Sequence, residues 1–166
     1  MTTLNTRSLT IGYEKPLVYN IDIMIESPHT LLVIGPNGVG KTTLLKTLAG
    51  LIKPHAGKVY VNEIDVTGNS ELAGMFMDYV PQLLSSTVSS SFPISVWEFI
   101  EFSLILHSKK TKTRISESEM RKIVREVLCI VGIDNSLWYR SIWKLSGGER
   151  QRLLIARALA NDQPII

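Results

Sequence analysis

The spacing of apolar residues in the first part of the chain is typical of β-strands. Residues 9–13 form a short apolar run, and residues 21–26 place isoleucine at every second position. Residues 31–34 are all apolar and lead directly into Gly35, as expected of a strand that is buried on both faces. Residues 58–62 and 77–81 predict two further strands.

Helical spacing begins at Lys41 and returns in the second half of the chain. Leucines at helical intervals follow Lys41, and Gly50 is placed to end that helix. Residues 85–91 are rich in serine and predict a mobile connection. Two serine–glutamate pairs then have capping-box spacing before apolar stripes, which predicts two more helices: Ser95 with Glu98, and Ser116 with Glu119.

These patterns suggest a single domain over residues 1–166 with three parts. Residues 1–84 are expected to form a strand-rich core, residues 85–145 a helical insertion, and residues 146–166 a further helix followed by the start of another strand. The fold class predicted is α/β.

Composition and charge narrow the class of protein. Hydrophobic residues make up 45% of the chain and charged residues 20%, which is typical of a globular protein. The net charge of +3 suits an anionic ligand but is too small to indicate a nucleic-acid partner. No apolar run is long enough for a membrane span or a signal peptide, so we expect a cytosolic chain. Cys129 has apolar neighbours and is interpreted as a buried structural thiol.

The basic run over residues 109–114 allows two interpretations. It can be a solvated loop or a docking patch, and the solvated loop is the simpler of the two.

The segment that begins at Gly35 fits the pattern G-x-x-x-x-G-K-[ST] at every fixed position. Phosphate oxygens must come close to several consecutive backbone N–H groups, and glycine allows this approach. The following helix directs unpaired N–H groups and its positive dipole end at the same anion. The residues predicted to bind the phosphates of ATP are Gly35, Pro36, Asn37, Gly38, Val39, Gly40, Lys41, Thr42 and Thr43.

Two side chains of this segment have predicted roles of their own. Lys41 supplies an ammonium group for the β- and γ-phosphates and is a candidate catalytic residue. Thr42 offers a hydroxyl to Mg²⁺, which prefers hard oxygen ligands. ATP and Mg²⁺ are therefore the expected cofactors.

A second helix start, at Ser146, Gly147, Gly148 and Glu149, is also suited to an anion. Ser146 can act as a simple N-cap, with the glycines as a hinge. Alternatively, this helix start closes on the nucleotide of the same chain, or on a nucleotide held by another copy. Sequence spacing leaves the three alternatives open.

The segments GPNGVGKTT and LSGGERQR, in this order and spacing, resemble the ATP-binding cassette (ABC) family, specifically the nucleotide-binding subunit of a transporter. The resemblance runs over nearly the whole chain. It implies a P-loop NTPase core with an N-terminal antiparallel β part and a helical insertion subdomain.

The resemblance also implies roles for individual residues. Tyr13 stands where family members stack an aromatic ring on the adenine. Gln82 matches the glutamine that binds Mg²⁺ or orients the attacking water, which makes it a candidate catalytic and metal-binding residue. Residues 146–149 match the signature segment, which contacts the ATP held by the opposite subunit of a head-to-tail dimer.

The expected function is ATP-powered transport of a solute. The expected partners are an integral membrane permease, onto which the helical insertion docks, and a second nucleotide-binding subunit, with no nucleic acid. The chain would then lie at the cytoplasmic face of the membrane, held there by the permease. Residues 92–97 are similar to the corresponding segment in importers of metal ions and metal chelates.

The chain departs from the family pattern near its end. After residue 161, relatives continue into a strand that carries a Mg²⁺-binding aspartate and a glutamate base, and neither residue is present here. From this we expect the C-terminal part of the sheet to be missing, ATP hydrolysis by this chain to be very slow or absent, and the chain to be a truncated piece of a longer protein.

Two other functions are alternatives to transport. Soluble ABC ATPases act in translation or DNA repair, but repair members carry a long coiled coil between the two motifs, for which this chain has no room. A fragment that binds nucleotide without catalysis is the remaining alternative.

Overall fold

The computed structural model describes residues 1–82 and 93–166. They form two compact units, Met1–Tyr79 with Ile165, and Val80–Pro164 with Ile166. The division into residues 1–84, 85–145 and 146–166 stays a prediction, and the connection predicted at residues 85–91 lies outside the described residues.

An antiparallel sheet of five strands forms the first unit. β1 (Thr3–Gly12) pairs with β2 (Pro16–Ile21), β3 (Met24–Glu26) and β4 (Ala56–Val61), while β5 (Ile64–Asp65) pairs with β4. The strands predicted at residues 9–13 and 58–62 are confirmed, although β1 begins earlier, at Thr3. This sheet is the predicted antiparallel β part.

The alternating segment at residues 21–26 is divided between β2 and β3 because a side chain enters the strand pairing. The Thr6 hydroxyl donates to the carbonyl oxygen of Ile21 at 2.9 Å and accepts from the N–H of Ile23 at 2.8 Å. These bonds satisfy backbone groups that would otherwise pair with β1. The period-two pattern was therefore correct, but it marks two short strands rather than one.

The strand predicted at residues 31–34 is wrong for this structure. None of these residues is assigned to a strand, and Leu32 and Ile34 have exposed fractions of 78% and 80%. A strand needs a neighbour for its backbone hydrogen bonds, and no strand of the described ranges pairs with this segment. Apolar sequence alone does not supply that neighbour.

The strand predicted at residues 77–81 is likewise reduced to a single bridge. Met77 pairs with Ile165 in parallel, and the Asp78 N–H donates to the Ile165 carbonyl at 2.9 Å. Residues 77–81 contain no assigned strand beyond this bridge, so the prediction of a full strand is wrong.

Helix α1 (Lys41–Leu48) packs on the sheet through one face. Its buried residues Leu44 and Leu48 join the core of the first unit with Leu9, Val59 and Val61 of the sheet. As predicted, Gly50 ends the helix: it lies at φ 69°, beyond the C-cap, and its N–H donates to the carbonyl of Thr47. A short helix, α2 (Ser70–Ala73), completes the unit.

Three helices form most of the second unit: α3 (Val96–Thr111), α4 (Glu117–Ile130) and α5 (Gly147–Ala160). The helices predicted after Ser95 and Ser116 are confirmed, since both serines act as N-caps. Two 3₁₀ turns, Asn135–Leu137 and Ile142–Lys144, connect α4 to α5. Within the described ranges, no helix combines the length and the apolar content needed to cross a bilayer.

The prediction of a buried Cys129 is wrong. The cysteine is exposed, whereas Val124, Val127 and Leu128 of the same helix are buried. Helix α4 is amphipathic: Leu128 lies on its buried face, and the next residue, Cys129, lies on its solvent-facing side. Apolar neighbours along the sequence do not determine which face of a helix a residue occupies.

Stability at low pH should depend on Asp65. Hydrogen bonds from Lys58 and Thr67 lower the pKa of this carboxyl group from 3.8 to about 2. The folded state therefore favours the carboxylate, so its stabilisation is fully present above about pH 4 and is lost as the pH falls through about 2. Because the pair is exposed, we expect Asp65→Asn to lower the free energy of unfolding by less than about 1 kcal/mol at pH 6. Urea titrations at pH 6 and pH 2 measure this, and an equal difference at both pH values would contradict it.

Candidate functional site

The loop before α1 has a backbone that only glycine adopts readily. Gly38 and Gly40 have φ angles of 83° and 106°, in the left-handed region. A Cβ atom on Gly40 would lie 3.1 Å from Leu17 Cδ2 and 3.3 Å from Val18 Cγ2 of β2. The loop thus follows a path that requires these glycines, and it is packed against the sheet on one side.

The first turn of α1 carries no side-chain cap. Gly40 occupies the N-cap position without a side-chain hydrogen bond, and the first turn contains no acidic residue. The first N–H groups of a helix have no partner within the helix, and the positive end of the helix dipole lies at the same place. This helix start is therefore suited to bind an anion.

The ammonium group of Lys41 lies over the loop. It donates hydrogen bonds of 2.8 Å to the carbonyl oxygens of both Gly35 and Pro36. The positive charge is thus held at the beginning of the loop that leads into this helix. Phosphate oxygens that approach the helix start would meet this cation within reach of its flexible side chain.

Thr42 and Thr43 differ in exposure. The hydroxyl of Thr42 is exposed and forms no hydrogen bond within the described residues. Thr43 is buried, and its carbonyl accepts a 2.8 Å hydrogen bond from the Thr47 hydroxyl. Of these two residues, only Thr42 has a side chain that can reach a bound ligand. Thr43 can contact a ligand only through its backbone.

Tyr13 lies in the turn after β1, with an exposed fraction of 63%. Its phenolic oxygen accepts a hydrogen bond from the ammonium group of Lys46 in α1, at 3.5 Å. An exposed ring offers a flat face on which a base can stack.

Gln82 is exposed, and it lies in the second unit. The preceding residue is anchored there, because the side-chain amide of Gln151 in α5 donates to the carbonyl of Pro81 at 3.3 Å. Gln151 was not predicted as a functional residue. This link between residues far apart in the sequence is visible only in the structure.

The helix start at Ser146 is closed by a capping box. The Ser146 hydroxyl accepts a hydrogen bond from the Glu149 N–H at 3.3 Å, and the Glu149 carboxylate accepts one from the Ser146 N–H at 2.7 Å. The pKa of the Glu149 carboxyl group is lowered, mainly by the hydrogen bond from the Ser146 backbone N–H and to a smaller extent by a hydrogen bond with the Ser146 side chain. The simple N-cap role weighed from the sequence is therefore present, and Glu149 contributes to it as much as Ser146 does.

The two glycines at this helix start have no neighbour that requires them. A Cβ atom on Gly147 would meet nothing within 4 Å, and one on Gly148 would meet only Arg152 Nη1, at 3.9 Å. Neither residue is among those with positive φ. The described residues thus give no internal reason for glycine at either position, and the backbone of this turn is open to an approaching group.

Arg150 holds the segment that leads into α5. Its guanidinium donates to the carbonyl oxygens of Leu145 at 3.0 Å and of Trp143 at 2.9 Å. These contacts give Arg150 a structural role at the start of α5.

The predicted site residues are divided between the two units. Tyr13 and residues 35–43 belong to the first unit, and Gln82 and residues 146–149 belong to the second. Sequence reasoning missed Lys46, whose contact with Tyr13 joins residues that are 33 positions apart.

Comparison with known proteins identifies the family. The family model described as ABC transporter matches residues 18–166. The chain is 32% identical to the molybdate/tungstate import ATP-binding protein WtpC of Pyrococcus abyssi, over 98% of this chain and 44% of that protein. It is 30% identical to the high-affinity zinc uptake system ATP-binding protein ZnuC of Bacillus subtilis, over 100% of this chain and 69% of that protein. The chain thus spans between about half and about two thirds of the length of these relatives.

A solved structure extends the similarity to the fold. A dimeric ATP-binding cassette in a post-hydrolysis state, bound to ADP and phosphate, superposes with a TM-score of 0.80 at 27% identity, over 98% of this chain and 72% of that chain. This confirms the predicted α/β fold with a P-loop NTPase core. Sequence motifs, family match and fold agree, and the chain belongs to the ABC transporter family.

Proposed function

We propose that this chain binds ATP with Mg²⁺ and belongs to the ATP-hydrolysing subunit of a transporter that moves a solute across a membrane. The observation that carries the proposal is the uncapped start of α1, together with the left-handed glycines before it and the Lys41 ammonium bound to carbonyl oxygens of the same loop. In the reaction, a water oxygen bonds to the γ-phosphorus while the bond from that phosphorus to the bridging β–γ oxygen breaks. The products are ADP and inorganic phosphate, and the proton of the water passes to a base or to solvent.

The phosphates of ATP would be held by residues 35–43. Backbone N–H groups at the helix start donate to phosphate oxygens, and Lys41 exchanges its bonds with the loop carbonyls for bonds with the β- and γ-phosphates. The exposed face of Tyr13 provides a stacking surface for adenine.

The residues present fit a magnesium ion bound together with ATP. Mg²⁺ retains several waters and usually takes one or two protein oxygens beside the phosphates. The exposed Thr42 hydroxyl, which forms no hydrogen bond within the described residues, is a suitable oxygen ligand. The exposed amide of Gln82 is the second candidate, either for the ion or for orienting the attacking water. A bound ion would neutralise charge on the phosphates.

Residues 146–149 would contact the ATP held by a second nucleotide-binding subunit. Gly147 and Gly148 support this role because no contact within the described residues and no positive φ angle accounts for them. A backbone open at a helix N-terminus is suited to close approach by a phosphate from outside the chain. We infer a head-to-tail pair of subunits with two ATP molecules between them.

The membrane partner would be an integral permease that binds the helical subdomain and holds the chain at the cytoplasmic face. The two relatives described above are named for the import of different solutes, molybdate or tungstate in one and zinc in the other. Their names support an importer over a role in translation or DNA repair. They do not agree on one solute.

Isothermal titration calorimetry of the chain with Mg-ATP tests the proposal. We expect saturable binding with one ATP per chain and with weaker binding when EDTA replaces Mg²⁺. The Gly38→Ala variant is expected to bind roughly tenfold more weakly, because alanine at a left-handed φ angle costs about 1–2 kcal/mol and displaces the loop N–H groups. Gly132→Ala is the matched control, since Gly132 has a φ of 68° and open space around it but lies in the other unit.

Phosphate release, measured in the same samples, separates binding from hydrolysis. Binding without turnover would favour the alternative of a nucleotide-binding fragment for this chain. Absence of any ATP binding by the folded chain would contradict the proposed function.

A further inference from the structure

Lys46 connects the helix of the phosphate loop with the residue proposed to stack on the base. It lies in α1, the helix that begins with Lys41, and its ammonium nitrogen is 3.5 Å from the phenolic oxygen of Tyr13. Lys46 forms no salt bridge within the described residues. Its charge is thus directed at the tyrosine hydroxyl rather than at a carboxylate.

Tyr13 otherwise has few restraints. It lies in the turn after β1 with 63% of its surface exposed, so its ring could take several orientations. Immobilising such a side chain when a ligand binds costs free energy, and a bond that restrains it beforehand reduces that cost. The hydrogen bond from Lys46 is a restraint of this kind.

We propose that Lys46 is a positioning residue for the nucleobase, which acts by holding the ring of Tyr13 through its hydroxyl. Since Lys46 and the phosphate loop share α1, the helix fixes the distance between the base-stacking ring and the phosphate site. This inference rests on the proposed binding of ATP. If Lys46 acts in this way, it contributes to the affinity for nucleotides but not to the affinity for a triphosphate that has no base.

Three variants separate this role from others. Lys46→Met retains a long side chain without the donor, Lys46→Arg retains a donor, and Tyr13→Phe retains the ring without the hydroxyl. We expect Lys46→Met and Tyr13→Phe each to raise the Kd for ATP roughly three- to tenfold. The double variant should bind no more weakly than either single variant, because both changes remove the same hydrogen bond. The Lys46→Arg variant should bind ATP with nearly the same Kd as the wild type.

Inorganic tripolyphosphate is the matched probe, measured by the same calorimetric titration. Its Kd should be the same for the wild type and all variants. Equal weakening of ATP and tripolyphosphate by Lys46→Met would overturn the inference, since Lys46 would then act on phosphate. The inference would also be overturned if the increases in Kd caused by Lys46→Met and Tyr13→Phe multiplied in the double variant. An unchanged Kd for ATP in the single variants would overturn it as well. A folded wild-type chain that binds neither ligand would overturn the proposed function as well, which distinguishes the two failures.

Discussion

Replacing Lys41 with alanine should raise the Kd for ATP roughly 30-fold or more. The ammonium group donates to the carbonyl oxygens of Gly35 and Pro36, and with ATP bound it would donate instead to phosphate oxygens. Hydrogen bonds between charged partners contribute about 1.5–3 kcal/mol each, and a factor of ten corresponds to about 1.4 kcal/mol. Loss of one or two such bonds gives the expected change, which calorimetric titration with Mg-ATP measures.

Two comparisons make the Lys41 result specific. The free energy of unfolding should fall by less than about 1 kcal/mol in Lys41→Ala, because its two carbonyl acceptors are exposed and can bond to water instead. Lys122→Ala removes a cation of the second unit that is 3.8 Å from Glu126, and it should leave ATP binding unchanged. A similar loss of affinity in both variants would mean that net charge, rather than the position of Lys41, governs binding.

Replacing Gly57 with alanine should destabilise the chain more than any other change discussed above, by roughly 3 kcal/mol or more. Gly57 lies in β4 at φ 79°, where a Cβ atom would be 2.3 Å from the carbonyl oxygen of Ser8 and 2.5 Å from that of Arg7. Both contacts are with backbone of β1, so relief requires the strands to separate. The register between β1 and β4 shifts at this point, between Arg7 and Thr10, and Leu9 beside it is fully buried.

Gly38→Ala is the matched control for this effect. Gly38 belongs to the same unit and has nearly the same φ angle, 83°, but a Cβ atom there would meet nothing within 4 Å. The free energy of unfolding of Gly38→Ala should therefore fall by no more than the cost of a left-handed alanine, about 1–2 kcal/mol, and by less where the exposed loop relaxes. Urea denaturation without nucleotide gives both values. Equal losses in the two variants would show that backbone conformation alone, and not the close approach of β1, requires glycine at position 57.

Local sequence was sufficient for features whose cause is local. The capping box at Ser95 and Glu98, the helix after Lys41 and its end at Gly50 all appear as predicted. In each case the interacting groups lie within a few residues of one another, so their spacing in the sequence fixes their geometry. The glycine pattern of the phosphate loop is local in the same sense, because the left-handed angles at Gly38 and Gly40 belong to the loop itself.

Features that depend on a distant neighbour could not be predicted in this way. Residues 31–34 have the composition of a buried strand, but strand pairing needs a second chain segment, and none pairs with them in the described residues. Cys129 has apolar neighbours along the sequence and is nevertheless exposed, since the packing of α4 decides which face is buried. The Thr6 hydroxyl divides the segment at residues 21–26 through contacts made across the sheet.

The candidate site shows the same division. The sequence by itself predicted the phosphate loop and the signature segment and indicated the family, because each prediction rests on closely spaced residues whose chemistry is specific. Only the tertiary structure decided that Lys46 donates to Tyr13, that Gln151 donates to the Pro81 carbonyl, and that the backbone of β1 lies too close to Gly57 for a side chain there. The physical reason is distance along the chain: such contacts form only after separate elements have packed, and no local pattern records which elements will meet.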